Sequence, residues 1–428
     1  MKIALVFYDR LNYTAGPAIN ALRLLPELKK RGHEVYALVP FIGKHHPNAD
    51  ILLEQGIQCF LTPYSEYSID LVKWFLKIVA HIYPDIFIAN ISLQACFAGK
   101  WIQQWGIPVI ITQRGNETHN WEMTNYFLNG PSDWRVTGVV SVNNYLHDKI
   151  KKESKQFFFN SVIPSGVDIP VGITDQKVKN KLKLIYAGRL TNRVKRVGDL
   201  LIAFHQVLKA NDQFELTLVG SGSQAEVDIF KKFINDNHLN HNIFIKDSKF
   251  GAEYKNELTN HNIIVLFSEH EGMPGALMDG MSCGLIPITT YFPGIHELIQ
   301  HDFNGYIIDN NDVDFKDILL RLFHNEQLRM VISQRARNQI IENFSLAKTT
   351  DQWESFLREV YNNNPNKRKI PVIPEKITLP AETSFLKEHK VRKGKIQEGY
   401  MKFMKLVINC KNKLWKVISL LNIENSKI

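Results

Sequence analysis

The sequence holds only four cysteines, Cys59, Cys96, Cys283 and Cys410, and they lie far apart. No CxxC pair and no Cys/His cluster occurs, which excludes a zinc ribbon and a disulfide framework and suits a reducing compartment. No apolar run approaches the ~18 residues of a spanning helix. The opening MKIALVFYDRLNY has one Lys and a short apolar run, without the longer apolar core and small-residue cleavage site of a signal peptide, so it reads as a first strand. Repeats of short period are lacking. So are Asp, Glu and His clusters at metal-ligand spacing. Asp312-Val313-Asp314 looks like a DxD metal motif, but it precedes the stretch Phe315–Phe323 and reads as a helix N-cap with first-turn acids. No catalytic metal is expected.

What remains is ordinary for a globular protein of two or three domains: 428 residues, 44% apolar and 22% charged, which excludes collagen-like and wholly disordered chains. The net charge of +9 is unevenly spread. Residues 363–428 carry 15 Lys and Arg against 5 Asp and Glu, leaving 37 and 38 for the rest. The basic excess thus belongs to a tail. A nucleic-acid groove would place it on the folded body, so no nucleic-acid partner is expected; a basic tail fits an acidic surface such as a membrane.

The first 110 residues alternate strand-like and helix-like patterns. Ile3–Tyr8 is an apolar run of strand length, and Ala18, Ala21, Leu22, Leu25 and Leu28 recur at helical spacing. Lys29, Lys30 and Arg31 suit a helix end, with Gly32 as the stop. Glu34–Val39, Asp85–Ala89 and Val109–Thr112 read as further strands. A second alternating block begins near Lys183, with strands at Leu182–Ala187, Phe214–Val219, Ile243–Lys246, Ile263–Phe267 and Ile286–Thr289. Between the blocks, Val162–Val171 reads as a linker. The fold class expected is α/β: an N-terminal Rossmann-like domain over residues 1–165, a second over 166–345, a closing helix over 346–362, and a basic linker and tail over 363–428.

The densest constellation of chemistry runs from Ser268 to Met281. It follows a buried strand and opens a helix, the place where open α/β sheets bind ligands and where free amides attract phosphate. Pro274 and Gly275 suit the first turn and a close approach. Glu271 and Asp279 flank it, and ionised carboxylates accept hydrogen bonds from sugar hydroxyls. A second constellation, Gly188-Arg189-Leu190-Thr191-Asn192-Arg193-Val194-Lys195-Arg196, leaves the first strand of the second block. Arg189 as a fork and Lys195 as a point charge would converge on a diphosphate. As simple structural residues, Arg189 and Lys195 would be ion-pair partners and Asp279 a solvated helix residue.

In their order, these motifs resemble the retaining, nucleotide-sugar-dependent glycosyltransferases of family 4, which have the GT-B fold. Arg31-Gly32-His33-Glu34-Val35 matches the end of the family's first helix and its second strand. Val162-Ile163-Pro164-Ser165-Gly166-Val167-Asp168 matches the interdomain segment. Ala187-Gly188-Arg189-Leu190 with Lys195 matches the phosphate segment, and Val219-Gly220-Ser221-Gly222 its loop. Glu271 to Asp279 matches the E-x7-E motif with Asp in second place, and Asn304-Gly305-Tyr306 matches a late turn. The resemblance spans roughly residues 1–360.

The resemblance implies a hexosyltransferase with two Rossmann-like domains facing across a cleft. The donor, a nucleotide diphosphate sugar, would be a co-substrate, with no further cofactor. Arg189 and Lys195 would hold its diphosphate. Glu271 and the backbone through Gly272, Met273, Pro274, Gly275, Ala276 and Leu277 would hold sugar and phosphates, and Asp279 would reach the ribose. Gly16 would line the donor from the N-terminal domain. Arg114 stands where the family often carries a His near the reacting carbon; as a buried cation it needs an anionic partner, for which Glu117 is a candidate. The acceptor would be a glycan or lipid-linked glycan of the cell envelope, in a capsule, O-antigen or exopolysaccharide. A nucleotide-sugar epimerase or hydrolase, or an inactive sugar-nucleotide or membrane-binding subunit, are the other classes the same motifs allow.

In the tail, Ile396, Tyr400, Phe403, Val407, Leu414, Ile418 and Leu421 recur with Lys402, Lys405, Asn409, Lys413 and Lys416 on another face. This is the pattern of a basic amphipathic helix, packed on the body, on a partner, or on the anionic inner leaflet. The last reading makes the protein cytoplasmic and peripheral on the inner membrane face.

Overall fold

The computed structural model describes residues 1–11, 16–65, 67–154, 158–178, 180–309 and 312–380. The expected amphipathic helix at Ile396–Leu421 lies outside them. Among the described residues no helix is long and apolar enough to cross a membrane.

Two all-parallel sheets carry the fold. In the first, the strand order is Gln58–Pro63, Glu34–Ile42, Lys2–Val6, Ile86–Asn90, Val109–Gln113, Gly138–Ser141 and Phe159–Val162, with a short strand Asp9–Arg10 beside the end of Glu34–Ile42. In the second it is Ile243–Lys246, Phe214–Val219, Leu182–Ala187, Ile263–Leu266, Ile286–Thr290 and Tyr306–Ile308. Parallel strands buried on both faces read as continuous apolar runs, which is why Ile263–Leu266 and Ile86–Asn90 were visible in the sequence. In each sheet the winding reverses beside the first strand. That switch point opens a crevice at the strands' carboxyl ends, where doubly wound sheets bind ligands.

The first helix runs Gly16–Lys30, and the chain turns out of it at Gly32 with φ +85°. The closing helix spans Leu346–Asn362. Although it follows the second domain in sequence, it buries Trp353, Phe356, Leu357 and Val360 in the core of the first. Arg31 and His33 fix it there. Arg31 Nη1 donates to Glu354 Oε2 at 2.8 Å, and His33 Nε2 lies 2.6 Å from Glu354 Oε1. The Arg31-Gly32-His33 motif therefore ties the chain's return to the first domain.

Residues 365–380 form no free linker, contrary to the sequence expectation. Arg368 donates to the carbonyls of Pro84 and Tyr83 at 2.5 and 3.0 Å, Lys369 N bonds to Trp105 O, and Ile377 is buried in the first domain's core. Ile370, Val372 and Ile373 face solvent, so the apolar anchor of the strap is Ile377 with the partly buried Leu379 beside it.

Candidate active site

In the second domain, the loops at the switch point are docked on one another. Glu269 N bonds to Val194 O at 3.0 Å, and Ser268 Oγ to the same carbonyl at 3.2 Å. This brings Lys195 onto Glu271, and the two side chains form an ion pair, 16% and 14% exposed. Arg189 stays exposed, and its guanidinium has no ion-pair partner among the described residues. Its backbone is fixed by Tyr186, whose hydroxyl donates to Arg189 O at 2.7 Å. Glu226 pins the same loop by accepting from Thr191 Oγ1 at 2.6 Å and Ser223 Oγ at 2.8 Å, and the Thr191 and Ser223 bonds hold its carboxyl below the usual range. Gly220 is required next door, because a Cβ there would meet Gly188 O at 1.8 Å.

The helix Gly275–Ser282 starts at Pro274 as its N-cap. Its first amides have no partner within the helix. Gly275 has open space where a Cβ would sit, whereas the Leu277 side chain belongs to the core and only its backbone faces outward. Met273 packs partly buried against the same core, and Ala276 is half-buried.

The carboxyl ends of the two sheets face each other, as four contacts establish. Asn143 Nδ2 donates to Gly272 O at 2.8 Å. Gly272 also lies against the Arg114 carbonyl, which a Cβ would meet at 1.8 Å, so only glycine fits that crossing. Glu297 accepts from the amides of Asn144 and Tyr145 at 2.9 and 3.2 Å, capping a first-domain helix from the second domain. Finally, Arg23 Nη2 bonds to both oxygens of Asp279 at 2.7 and 2.9 Å.

Asp279 is thus neither a solvated helix residue nor open on all sides; it is engaged by a first-domain cation. Arg114 departs from expectation too. Its guanidinium donates to Ser165 Oγ at 2.6 Å, whereas Glu117 accepts from Asn120 instead. Burial lowers the Arg114 guanidinium to about 10. Gly16 opens the first helix, and a Cβ there would meet nothing within 4 Å.

At the switch point of the first sheet lies a cavity of about 290 Å³, lined by Tyr8, Ile42, Tyr64, Leu93, Gln94 and His119 among others. They follow or end five different strands, Leu93 and Gln94 both following Ile86–Asn90. The Tyr8 hydroxyl donates to Gln94 Oε1 at 2.5 Å and lies 2.9 Å from Ser92 Oγ, and its ring meets Tyr64 edge-on at 5.9 Å. The wall thus combines the aromatic and aliphatic faces of Tyr8, Ile42, Tyr64 and Leu93 with the polar groups of Asp9, Arg10 and His119. Sequence reasoning missed Arg23, Asn143, Glu226 and Glu297. Two of them carried local signals: Asn143 is an N-cap type three residues before Leu146, whose amide it caps at 2.9 Å, and Glu226 ends the capping-box pattern Ser223-Gln224-Ala225-Glu226.

Two doubly wound domains with facing carboxyl edges, one edge carrying phosphate-type loops, define a GT-B glycosyltransferase. The family model for glycosyl transferases group 1 matches residues 174–339, and that for glycosyltransferase family 4 matches residues 15–170. The chain belongs to this glycosyltransferase family. It is 23% identical over 385 residues to the N-acetyl-alpha-D-glucosaminyl L-malate synthase of Bacillus anthracis, covering 86% of this chain and 99% of that protein. It is 32% identical over 104 residues to an Escherichia coli UDP-Gal:alpha-D-GlcNAc-diphosphoundecaprenol alpha-1,3-galactosyltransferase, covering 23% of this chain and 27% of that one. Among solved structures, Anabaena Alr3699/HepE in complex with UDP-glucose superimposes with a TM-score of 0.69 at 16% identity, over 84% of this chain and all of that one.

Proposed function

We propose that this chain moves a hexosyl group from a nucleotide diphosphate sugar to a hydroxyl of a glycan or lipid-linked glycan, with retention and without a metal. The observation that carries this reading is the meeting, at one switch point, of the exposed Arg189, the Lys195–Glu271 pair and the open amide end of Gly275–Ser282. The bond that breaks joins the anomeric carbon to a β-phosphate oxygen. Charge grows on the leaving diphosphate, and Arg189, Lys195 and the helix amides are aimed at it. The acceptor oxygen bonds to the anomeric carbon from the face the phosphate leaves, and its proton passes to that phosphate. Glu271, held beside the phosphates by Lys195, accepts from sugar hydroxyls. Arg114 supplies a further cation from the first domain.

The acceptor occupies the first domain, in the cavity beside Tyr8 and Tyr64, whose apolar faces suit the C–H face of a sugar ring. The name of the E. coli relative gives it a diphosphoundecaprenol-linked acceptor. A lipid-linked acceptor and the +10 tail both favour work at the inner membrane surface, with the chain held there as a peripheral protein. The test is incubation with a panel of labelled nucleotide sugars, with lipid-linked glycan acceptors and with water alone. Transfer to the acceptor with the donor's anomeric configuration supports the reading. Turnover with water alone, or an epimerised donor, would replace it.

A further inference from the structure

We propose that Arg23 is a positioning residue of the donor site: from the first domain it holds Asp279 as an ionised acceptor for the donor's ribose hydroxyls, so that nucleoside recognition is complete only when the domains are closed. This inference rests on the nucleotide-sugar reading above. Arg23 sits two turns into the helix Gly16–Lys30 of one domain, and Asp279 one turn into Gly275–Ser282 of the other. Arg23 Nη1 also donates to Gly166 O in the interdomain segment at 3.2 Å. One side chain therefore touches both domains and the hinge between them.

The geometry leaves Asp279 free to do a second job. A single nitrogen, Nη2, serves both carboxylate oxygens, at 2.7 and 2.9 Å. An ionised carboxylate has about four lone-pair sites, so about two remain. Asp279 lies four residues beyond Gly275, about 6 Å along the helix from its amide end. A diphosphate seated on those amides puts its ribose within that distance. Asp168 and Lys255, 3.5 Å apart, and Tyr254 complete the surroundings. Burial pushes the Asp279 carboxyl up, and Arg23 opposes that shift. Without Arg23 the carboxyl would lose its charge more readily and become a donor as well as an acceptor.

The experiment compares two probes by calorimetry: the nucleoside diphosphate that the wild-type chain binds best, and its 2′,3′-dideoxy form. The wild-type chain is expected to prefer the ribose form by about tenfold, or ~1.4 kcal/mol. In Arg23→Gln that preference falls to about twofold or less, and Arg23→Lys, which keeps the charge, restores part of it. Asp279→Asn shows the same loss, and the double variant is no worse than either single one. A role in folding alone would weaken both probes alike and keep the preference, which overturns the inference. Equal binding of both probes by the wild-type chain also overturns it, while leaving the donor reading intact. A wild-type chain that binds no nucleoside diphosphate defeats the donor reading itself.

Discussion

Lys195 and Glu271, 76 residues apart in sequence, neutralise each other at the crevice of the second domain. Each is only about one-sixth exposed, so removing either leaves a partly buried charge without its counterion. The pair therefore sets the resting state of the site, and a donor must share or displace it.

From this pair it follows that Glu271→Ala abolishes transfer while the chain stays folded. The loss expected is ~10²–10³ in kcat or more, the size typical of one electrostatic contact at a reacting centre. Steady-state rates beside a thermal melt check it. Near-normal turnover in a folded variant would remove Glu271 from the site.

Stability falls in acid through His261. Its Nδ1 donates to Glu257 O at 2.7 Å, and its Nε2 lies 2.9 Å from Thr217 Oγ1 in the core of the second domain. Burial depresses its pKa from 6.5 to about 4. The native state thus holds the neutral ring where the unfolded chain already binds a proton. Its contribution is intact above pH 6.5 and declines as pH drops toward about 4. The full loss is roughly 3 kcal/mol at 1.36 kcal/mol per pKa unit. Urea titrations from pH 7.5 to 4 should show less pH dependence for His261→Gln than for the wild-type chain. The same slope in both would contradict the assignment.

Chelation should leave transfer unchanged. In the proposed reaction the leaving charge is met by Arg189, Lys195 and helix amides, which need no ion to act. Activity lost in EDTA and regained with Mg²⁺ or Mn²⁺ would show that these groups do not suffice.

The tail should bind anionic vesicles. A chain cut after Pro380 keeps the strap, including the buried Ile377, and loses the basic segment beyond it. Salt-sensitive co-sedimentation with anionic vesicles by the full chain alone is expected, at ~1 kcal/mol per basic residue near the surface. Equal binding by the shortened chain, or none by either, would place the tail elsewhere.

Much of the fold was legible because buried parallel strands advertise themselves as short apolar runs, and because glycines mark crossings where backbones nearly touch. Gly220 against Gly188 and Gly272 against Arg114 are such places. The donor-side motifs were legible for the same local reason: a strand end, a loop and a helix start lie together in sequence. Contacts between domains were not. Arg23 and Asp279 are 256 residues apart, and each alone reads as a solvated helix residue. Arg114 misled toward Glu117, three residues away, because proximity in sequence stood in for geometry; the partner is Ser165. The strap over residues 365–380 was hidden by its prolines, which suggest an extended linker and say nothing of the surface it lies on.

The central claim is that the second domain holds a donor diphosphate through Arg189 and Lys195. The most direct measurement is calorimetric titration of the wild-type chain and of Arg189→Ala/Lys195→Ala with a panel of nucleoside diphosphates. Tight binding of one of them by the wild-type chain is expected, with a loss of about 100-fold or more in a double variant whose thermal melt shows that it is still folded, since two charged contacts to phosphate are removed. Unchanged affinity in the double variant would contradict the account.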